Sequence, residues 1–254
     1  MAALALSNVS VAFGGLRAVD ALTFEVADGS IKGIIGPNGA GKTTLFNAIS
    51  GITTPQAGRV VLGGRDITAL RPHERAALGL SRTFQNLQLI PGMSVLENAM
   101  LGAHTQLRAG WGANLFGLAR REEAGAEAIA RDKLGLLGLA GRAGEPAGEL
   151  GFADAKLLEI ARALASSPRV LLLDEPIAGV PPADQNRIAA VIREVNASGV
   201  TILLVEHNMR VVMNLCAEIL VMDHGAHLAE GSPESVSRNP EVVAAYLGPG
   251  DAHA

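Results

Sequence analysis

A glycine-rich segment near the start of the chain carries residue types that bind phosphate. Residues 36–43 read Gly-Pro-Asn-Gly-Ala-Gly-Lys-Thr and fit the pattern G-x-x-x-x-G-K-[ST]. The glycines let backbone N–H groups point at phosphate oxygens, and a following helix directs its positive end to the same place. Lys42 can neutralise charge on the β- and γ-phosphates, and the Thr43 hydroxyl can ligate Mg²⁺. The residues predicted to bind nucleotide are Gly36, Pro37, Asn38, Gly39, Ala40, Gly41, Lys42, Thr43 and Thr44.

The flanking sequence distinguishes this segment from an ordinary strand–turn–helix corner. A short apolar run, residues 31–35, precedes it, and a helix-like stretch, residues 44–50, follows it with Gly51 as the C-cap. A plain corner needs one or two glycines, but it does not need lysine and threonine directly after the third. We therefore predict a site for the phosphates of a nucleotide with Mg²⁺.

Two adjacent carboxylates follow a strand-like run in the second half of the chain. Residues 170–173 are all apolar and lead directly into Asp174, Glu175 and Pro176. Sheets of α/β proteins bind ligands at the carboxyl ends of their strands. We expect Asp174 to hold Mg²⁺ through water, and Glu175 to orient and polarise the attacking water or accept its proton. Alone, the pair would be better explained as an acidic loop, but the phosphate-binding pattern in the same chain favours catalysis.

Hydrophobic periodicity predicts the elements at the two ends of the chain. Apolar residues alternate with a period near two through residues 4–13 and 22–26, and Asp28-Gly29 has the composition of a turn. Antiparallel strands are therefore predicted in the first thirty residues. Near the other end, two short apolar runs flank Asp223-His224-Gly225 and predict a hairpin.

The central part of the chain alternates between strand and helix patterns. Residues 170–173 and 201–205 are apolar on both faces, which suits buried parallel strands, and residues 186–195 between them have helical spacing. Residues 87–165 lack strand signals and contain helical stretches, so we interpret them as a helical subdomain inserted into the sheet domain. Within it, the glycine-rich residues 108–117 hold the only tryptophan, Trp111, and predict a surface loop of unassigned role.

Composition excludes several classes of protein. The 254 residues are 48% hydrophobic, which is enough for a substantial core, and the net charge of −4 argues against an electrostatic grip on nucleic acid or anionic lipid. Cys216 is the only cysteine, so no internal disulfide is possible and a reducing compartment is expected. No apolar run approaches the roughly 18 residues of a membrane span, and residues 1–10 lack the features of a signal peptide.

Over its whole length the chain resembles the ATP-binding-cassette ATPases. The phosphate-binding pattern and the run Leu-Leu-Leu-Asp-Glu-Pro at 171–176 are common to all cassettes. Other segments are most similar to the ATP-binding subunits of branched-chain amino acid importers. They are Ser-Arg-Thr-Phe-Gln-Asn at 81–86, Val-Leu-Glu-Asn at 95–98, Val-Glu-His-Asn-Met at 205–209, Ala-Glu-Gly-Ser-Pro at 229–233 and Ala-Tyr-Leu-Gly at 245–248.

The resemblance implies one α/β domain of the P-loop NTPase class over residues 1–254. It implies an antiparallel β subdomain, a mixed sheet core and an inserted helical subdomain. The expected divisions are a nucleotide-binding core at 1–86 and 166–230, the helical subdomain at 87–165 and a C-terminal tail at 231–254.

The resemblance also assigns three further site residues. Gln85 matches the glutamine that senses Mg²⁺ and water and links the ATP site to the helical subdomain, although without the family it is one polar loop residue among many. His207 matches the switch histidine that contacts the γ-phosphate, whereas a solvated histidine at a strand end is the plainer interpretation. Phe13 occupies the place of an aromatic that stacks on adenine, and core packing on an alternating strand is an equal alternative. The predicted Mg²⁺ ligands are then Thr43, Gln85 and Asp174.

Two segments depart from the family pattern. The signature, roughly Leu-Ser-Gly/Tyr-Gly-Gln, corresponds here to Leu150 followed by Gly151, Phe152, Ala153 and Asp154, which are expected to face the partner's ATP. Gly151 removes a hydroxyl donor, Ala153 adds a Cβ where backbone must approach phosphate, and Asp154 either adds negative charge there or serves as a helix N-cap. In the D-loop, residues 177–182, Pro181 stands where the family has Asp or Asn. The resemblance implies that this loop crosses to the partner, and proline fixes φ there and cannot donate a backbone hydrogen bond.

The resemblance implies a peripheral protein at the cytoplasmic face of the cell membrane. Its expected partners are a second cassette ATPase subunit, transmembrane permease subunits and, indirectly, a solute-binding protein, with no nucleic acid. An importer of urea, amides or another small solute is an alternative to one of branched-chain amino acids. Two rival classes are a soluble cassette ATPase unconnected with transport and a non-hydrolysing regulatory nucleotide binder.

Overall fold

Two sheets make up the framework of the chain. The computed structural model describes residues 1–83, 87–103 and 118–247. Its strands are β1 (Ala2–Phe13), β2 (Leu16–Ala27), β3 (Ile31–Ile35), β4 (Ala57–Leu62), β5 (Arg65–Asp66), β6 (Leu80–Arg82), β7 (Val170–Asp174), β8 (Thr201–Val205), β9 (Glu218–Asp223) and β10 (Ala226–Gly231). Its α-helices are α1 (Lys42–Ser50), α2 (Pro72–Ala77), α3 (Val95–Ala103), α4 (Leu118–Leu136), α5 (Phe152–Leu164), α6 (Pro182–Ala197), α7 (Met209–Leu215), α8 (Pro233–Ser237) and α9 (Pro240–Leu247).

The first sheet is antiparallel, in the order β2-β1-β4-β5. Strands β1 and β2 pair directly, as their alternating pattern predicts, and their inward apolar side chains are fully buried. Burying each such side chain contributes roughly 1.5–3 kcal/mol. The alternation ends at Phe13, which is 55% exposed at the end of β1.

The second sheet has six strands in the order β10-β9-β3-β8-β7-β6. Every pair from β9 to β6 is parallel, and β10 joins β9 as the predicted hairpin. Because β3, β7 and β8 are neighbouring parallel strands, the segments that follow them emerge at one edge. The phosphate-binding turn follows β3, Glu175 follows β7 and Glu206 follows β8.

The central strands are buried on both faces, as their uninterrupted apolar runs predict. On β7, Leu171 and Leu173 pack into a core shared with the helices, whereas Val170 and Leu172 pack into a core shared with α1 and the antiparallel sheet. The same alternation occurs along β8. Each strand therefore packs against one core on each face, and this close packing fixes the position of the residues at its carboxyl end.

A buried arginine fastens the far end of α1. The Arg75 guanidinium donates to the carbonyl oxygens of Ala48 and Ile49, at 2.7 Å each, and also to those of Leu70 and Thr68. It thereby satisfies carbonyls that the helix end leaves without partners. Gly51, at φ 82°, is the predicted C-cap.

The segment 87–165 is helical where it is described. It contributes α3, α4 and α5, which pack against one another, and two short 3₁₀ turns, residues 140–142 and 147–149. Gly102 lets α3 approach α5 closely, because a Cβ at this position would lie 1.7 Å from the Arg162 carbonyl oxygen. The predicted loop 108–117, with Trp111, lies outside the described residues. None of the helices in the described ranges is both long and apolar enough to cross a bilayer.

Candidate active site

The phosphate-binding segment forms the turn between β3 and α1. Gly41, at φ 95°, is the N-cap of α1, and a Cβ there would lie 2.0 Å from the Ala18 carbonyl oxygen. A Cβ on Gly36 would lie 2.1 Å from the Met222 carbonyl oxygen. Both positions therefore require glycine, because the turn is wedged between β2 and β9. This packing fixes the start of α1, where the unpaired N–H groups of the first turn can receive an anion.

Lys42 folds back over its own loop. Its Nζ donates to the carbonyl oxygens of Gly36 at 2.7 Å and Pro37 at 2.9 Å. Burial lowers the pKa of Lys42, and the charge of Glu175 acts in the opposite direction. The ammonium is thus held inside the loop, where a bound phosphate would meet it.

An ion pair that sequence reasoning missed holds Asp174 at the end of β7. Arg82 Nη2 lies 2.7 Å from Asp174 Oδ2, and both side chains are less than a tenth exposed. Arg82 Nη1 also donates to Asn47 Oδ1 at 2.8 Å and to Ser50 Oγ at 3.1 Å, both on α1. The Asp174 backbone N–H donates to the Thr83 hydroxyl. Arg82 therefore joins the Asp174 carboxylate to the helix that follows the phosphate-binding turn. The only sequence signal for this role was the position of Arg82 within the motif at 81–86.

Glu175 and His207 meet at the edge of the sheet. Glu175 Oε1 lies 3.0 Å from His207 Nε2, and the two side chains are 15% and 43% exposed. Glu175 adopts φ 49°, a left-handed conformation that a non-glycine residue seldom takes and that strained functional positions often show. The structure thus brings together two residues that the chain separates by 32 positions.

An open cavity of about 520 Å³ collects most of the predicted residues. Its walls include Phe13, residues 38–44, Glu175 and His207. The exposure of Phe13 shows that packing in the core, the alternative interpretation, is wrong. Asp174 is 2% exposed and lies behind this surface, and Gln85 lies outside the described residues.

His224 lines the cavity rim and is 94% exposed at its side chain, while His227 bonds to Glu230 on the same strand. Among the described residues, no group of three or more His, Cys, Asp or Glu is arranged to hold a metal ion by itself.

The signature segment begins α5, and none of its residues 151–154 lines this cavity. Gly151 is the N-cap of α5 and makes no side-chain cap bond, Phe152 is 44% exposed, and Ala153 is buried.

The expectations for Asp154 need correction. It is not the helix N-cap, because it lies inside the first turn after Gly151. Nor does it leave an unbalanced negative charge, because Arg142 lies 2.5 Å from Oδ2 and Arg187 lies 2.7 Å from Oδ1. The charge-assisted bond from Arg142 and the ion pair with Arg187 together outweigh a cap bond to a backbone N–H, which explains the orientation of the carboxylate. The D-loop residue Pro181 is the N-cap of α6.

Comparison with known proteins shows the family to which this geometry belongs. The model of the ABC transporter family matches residues 19–178. The chain belongs to the ABC transporter family. A second model, the branched-chain amino acid ATP-binding cassette transporter, matches residues 226–251 at the C-terminal end. As a cassette of this family, the chain binds ATP and is an ATPase whose activity is coupled to transport.

Curated relatives align with nearly the whole chain. The high-affinity branched-chain amino acid transport ATP-binding protein BraF of Pseudomonas aeruginosa is 40% identical over 96% of this chain and 97% of its own length. The corresponding protein LivG of Escherichia coli K12 is 38% identical with the same coverage. These relatives are ATP-binding subunits of transporters.

Solved structures agree with the fold. A nucleotide-free ATP-binding cassette from an ABC transporter superposes with a TM-score of 0.86 at 36% identity, covering 98% of this chain and all of the other. A cassette in its ADP conformation gives a TM-score of 0.85 at 34% identity, covering 98% and 99%. The predicted combination of an antiparallel β subdomain, a mixed sheet and helices is thereby confirmed.

Proposed function

We propose that this chain is the ATP-hydrolysing subunit of an importer for branched-chain amino acids. The observation that carries the proposal is the convergence of Lys42, Glu175 and His207 on one cavity in a chain that aligns with BraF and LivG over nearly its full length. The C-terminal match to the branched-chain family supports the choice of solute class. The solute does not contact this subunit, so urea and amide importers remain the alternative within the same class.

Each residue of the cavity has a proposed task in hydrolysis. The phosphate-binding turn and Lys42 hold the β- and γ-phosphates, and the exposed ring of Phe13 stacks on adenine at the cavity wall. Glu175 orients the attacking water and accepts its proton, and His207 contacts the γ-phosphate from the neighbouring loop. Gln85, outside the described residues, is proposed to sense Mg²⁺ and water.

The donors present suit Mg²⁺. Thr43 offers a hydroxyl on the cavity wall and Asp174 a carboxylate behind it, and Mg²⁺ favours such oxygen ligands with phosphate and water completing its shell. Because Arg82 occupies one oxygen of Asp174, the carboxylate is proposed to act through water. When bound, Mg²⁺ would neutralise charge on the β- and γ-phosphates.

Two such subunits are proposed to enclose two ATP molecules, each between one chain's phosphate loop and the other's signature. ATP closes the pair, and hydrolysis and release open it. The segment 87–165, which is helical where it is described, is proposed to transmit this motion to permease subunits at the cytoplasmic face of the membrane, where the subunit is proposed to be peripheral. A solute-binding protein would contribute indirectly, and residues 231–254 form the proposed C-terminal tail.

The rival classes have weaker support. A soluble cassette ATPase acting on nucleic acid or ribosomes would need a basic surface, and the chain has a net charge of −4. A regulatory binder without hydrolysis would not need the contact between Glu175 and His207.

Transport by the assembled complex tests the proposal. With its permease subunits and binding protein in vesicles, the chain is expected to drive uptake of labelled leucine that requires ATP, with ADP as the matched control. Uptake of urea or an amide, but not of leucine, would show that the importer carries that solute instead of branched-chain amino acids. An assembly that takes up none of these solutes in response to ATP would contradict the transport function itself.

Restoring the signature should raise the activity of the isolated protein. Gly151→Ser and Ala153→Gly together return the hydroxyl and remove the extra Cβ, and no atom beyond the two adjacent residues lies within 4 Å of the Cβ position of Gly151. One recovered neutral hydrogen bond is worth about 0.5–1.5 kcal/mol, so turnover is expected to rise by up to roughly tenfold. The measurement is the steady-state ATPase rate of the purified chain, compared with the unmodified protein.

Stability must be measured in the same variants. A serine N-cap stabilises a helix start by a few tenths of a kcal/mol relative to glycine, whereas glycine within the first turn costs up to about 1 kcal/mol relative to alanine. Urea unfolding of each single variant separates these effects from catalysis. An unchanged ATPase rate in a folded double variant would mean that the N-terminus of α5 suffices. In a pairing with a cassette that has an intact signature, the site using this chain's Glu175 is expected to be the faster.

A further inference from the structure

A buried carboxylate lies directly before His207 and faces two loops at once. Glu206 is 2% exposed at the end of β8. Its Oε1 accepts the backbone N–H of Ile177 at 2.9 Å, and its Oε2 accepts the N–H groups of His207 at 3.1 Å and Asn208 at 3.5 Å. One oxygen therefore faces the loop after Glu175, and the other faces the loop that contains His207.

These contacts close a ring that contains both proposed catalytic side chains. Glu175 precedes Ile177 by two residues and contacts His207 directly at 3.0 Å. The His207 N–H returns to Glu206, and Glu206 returns to Ile177. The two catalytic side chains are thus joined once through their own hydrogen bond and once through the backbones that carry them.

A second bridge connects the same two loops at a greater distance. Asn208 Nδ2 donates to Gln185 Oε1 at 3.0 Å, and Gln185 Nε2 donates to the Val180 carbonyl oxygen at 2.9 Å. Val180 belongs to the D-loop, which follows Glu175. The uncharged side chains of Asn208 and Gln185 therefore link the loop of His207 to the D-loop a second time, at Val180.

Burial of this carboxylate is costly, and the contacts within the described part of the chain are backbone N–H groups rather than a cation. Burial is the largest influence on the pKa of Glu206 and raises it, the three hydrogen bonds lower it, and the charge of Glu175 raises it. An apolar side chain would avoid this cost but would leave the N–H groups of Ile177, His207 and Asn208 without their acceptor, so the carboxylate serves the backbone of both loops and not packing alone.

We infer that Glu206 is a positioning residue that couples the D-loop to the loop of His207 and thereby sets the contact between Glu175 and His207. The inference rests on the catalytic roles proposed above for those two residues. A carboxylate suits this task because both of its oxygens accept hydrogen bonds, whereas glutamine presents an acceptor to one loop and a donor to the other. In glutamine the NH₂ group would face a backbone N–H, and one loop would be released.

The test compares Glu206→Gln with Glu194→Gln, the same change at an exposed position on α6. In the assembled transporter, Glu206→Gln is expected to lower kcat by about 10- to 100-fold, the effect of losing a hydrogen bond to a charged group. Its affinity for MgATP should stay within about twofold, since the phosphate-binding loop is untouched. Hydrogen exchange without ATP should show faster exchange at the amides of Ile177 and His207 and unchanged exchange in α1.

Wild-type kcat or unchanged amide exchange in folded Glu206→Gln would overturn the inference, and so would a loss of MgATP affinity as large as the loss of kcat. Should that variant fail to fold, Glu206→Asp keeps the charge on a side chain too short to reach both loops. Its kcat, MgATP affinity and amide exchange are then compared in the same way. The exchange measurement does not depend on hydrolysis. It therefore separates failure of this coupling from failure of the proposed roles of Glu175 and His207.

Discussion

Replacing Glu175 by glutamine is expected to slow ATP turnover by about 10²–10⁴-fold while ATP binding is retained, the range for loss of a general base. The amide is isosteric with the carboxylate and can keep a hydrogen bond to His207 Nε2, which lies 3.0 Å from Oε1 in the parent chain. Neither glutamate nor glutamine is branched at Cβ, so the substitution adds no new steric conflict to the left-handed backbone at φ 49°. The variant therefore removes the base with little change in geometry.

The ATPase rate of the assembled transporter measures the expected loss of turnover, and titration calorimetry with MgATP measures the expected retention of binding. The proposed closed pair of subunits should also persist longer in Glu175→Gln, since hydrolysis is the step proposed to open it. Glu123→Gln, at an exposed position of α4, controls for the loss of a carboxylate elsewhere. A wild-type hydrolysis rate in the assembled Glu175→Gln variant would show that another group activates the water.

Removing the Lys42 side chain should weaken MgATP binding by about 10- to 100-fold, because a charge-assisted contact to the β- and γ-phosphates is lost. The substitution Lys42→Ala also deprives the Gly36 and Pro37 carbonyl oxygens of the donor that now lies 2.7 and 2.9 Å away. Part of the loss should therefore come from a less ordered loop.

Titration calorimetry with MgATP measures the effect, and Lys133→Ala on α4 is the matched control for a lost lysine. Urea unfolding of both variants should show whether the loop contributes to stability as well as to binding. If Lys42→Ala binds MgATP as tightly as the parent chain while folded, the assignment of residues 36–43 as the phosphate-binding loop is wrong.

Both predictions follow from how the sheet collects segments that are distant in the chain. Parallel strands emerge at one edge, so Lys42, Glu175 and His207 line the same cavity although the first and last are separated by most of the chain. The expected effects differ in size because Lys42 is proposed to act on the bound ground state, whereas Glu175 is proposed to act on the proton transfer in the transition state.

Sequence by itself determined those features whose physics is local. Glycine spacing, Lys42 and the apolar run before them specify a phosphate loop because turn geometry, charge and helix start all lie within a few residues. Period-two alternation identified β1 and β2, and two-sided apolar runs identified β7 and β8, because these patterns record which faces are buried. The short strands β4 to β6 carry weaker patterns and were not predicted.

Tertiary structure alone decided the features that depend on distant partners. Phe13 belongs to a regular alternation, yet it is exposed because the strand ends at the cavity mouth. Asp154 has the composition of a cap or a repelling charge, but two arginines brought in by folding neutralise it. Arg82 and Glu206 gain their roles only when neighbouring strands place Asp174 and Ile177 beside them. A side chain's charge is local, whereas the groups that balance or exploit it are supplied by the packing of the whole chain.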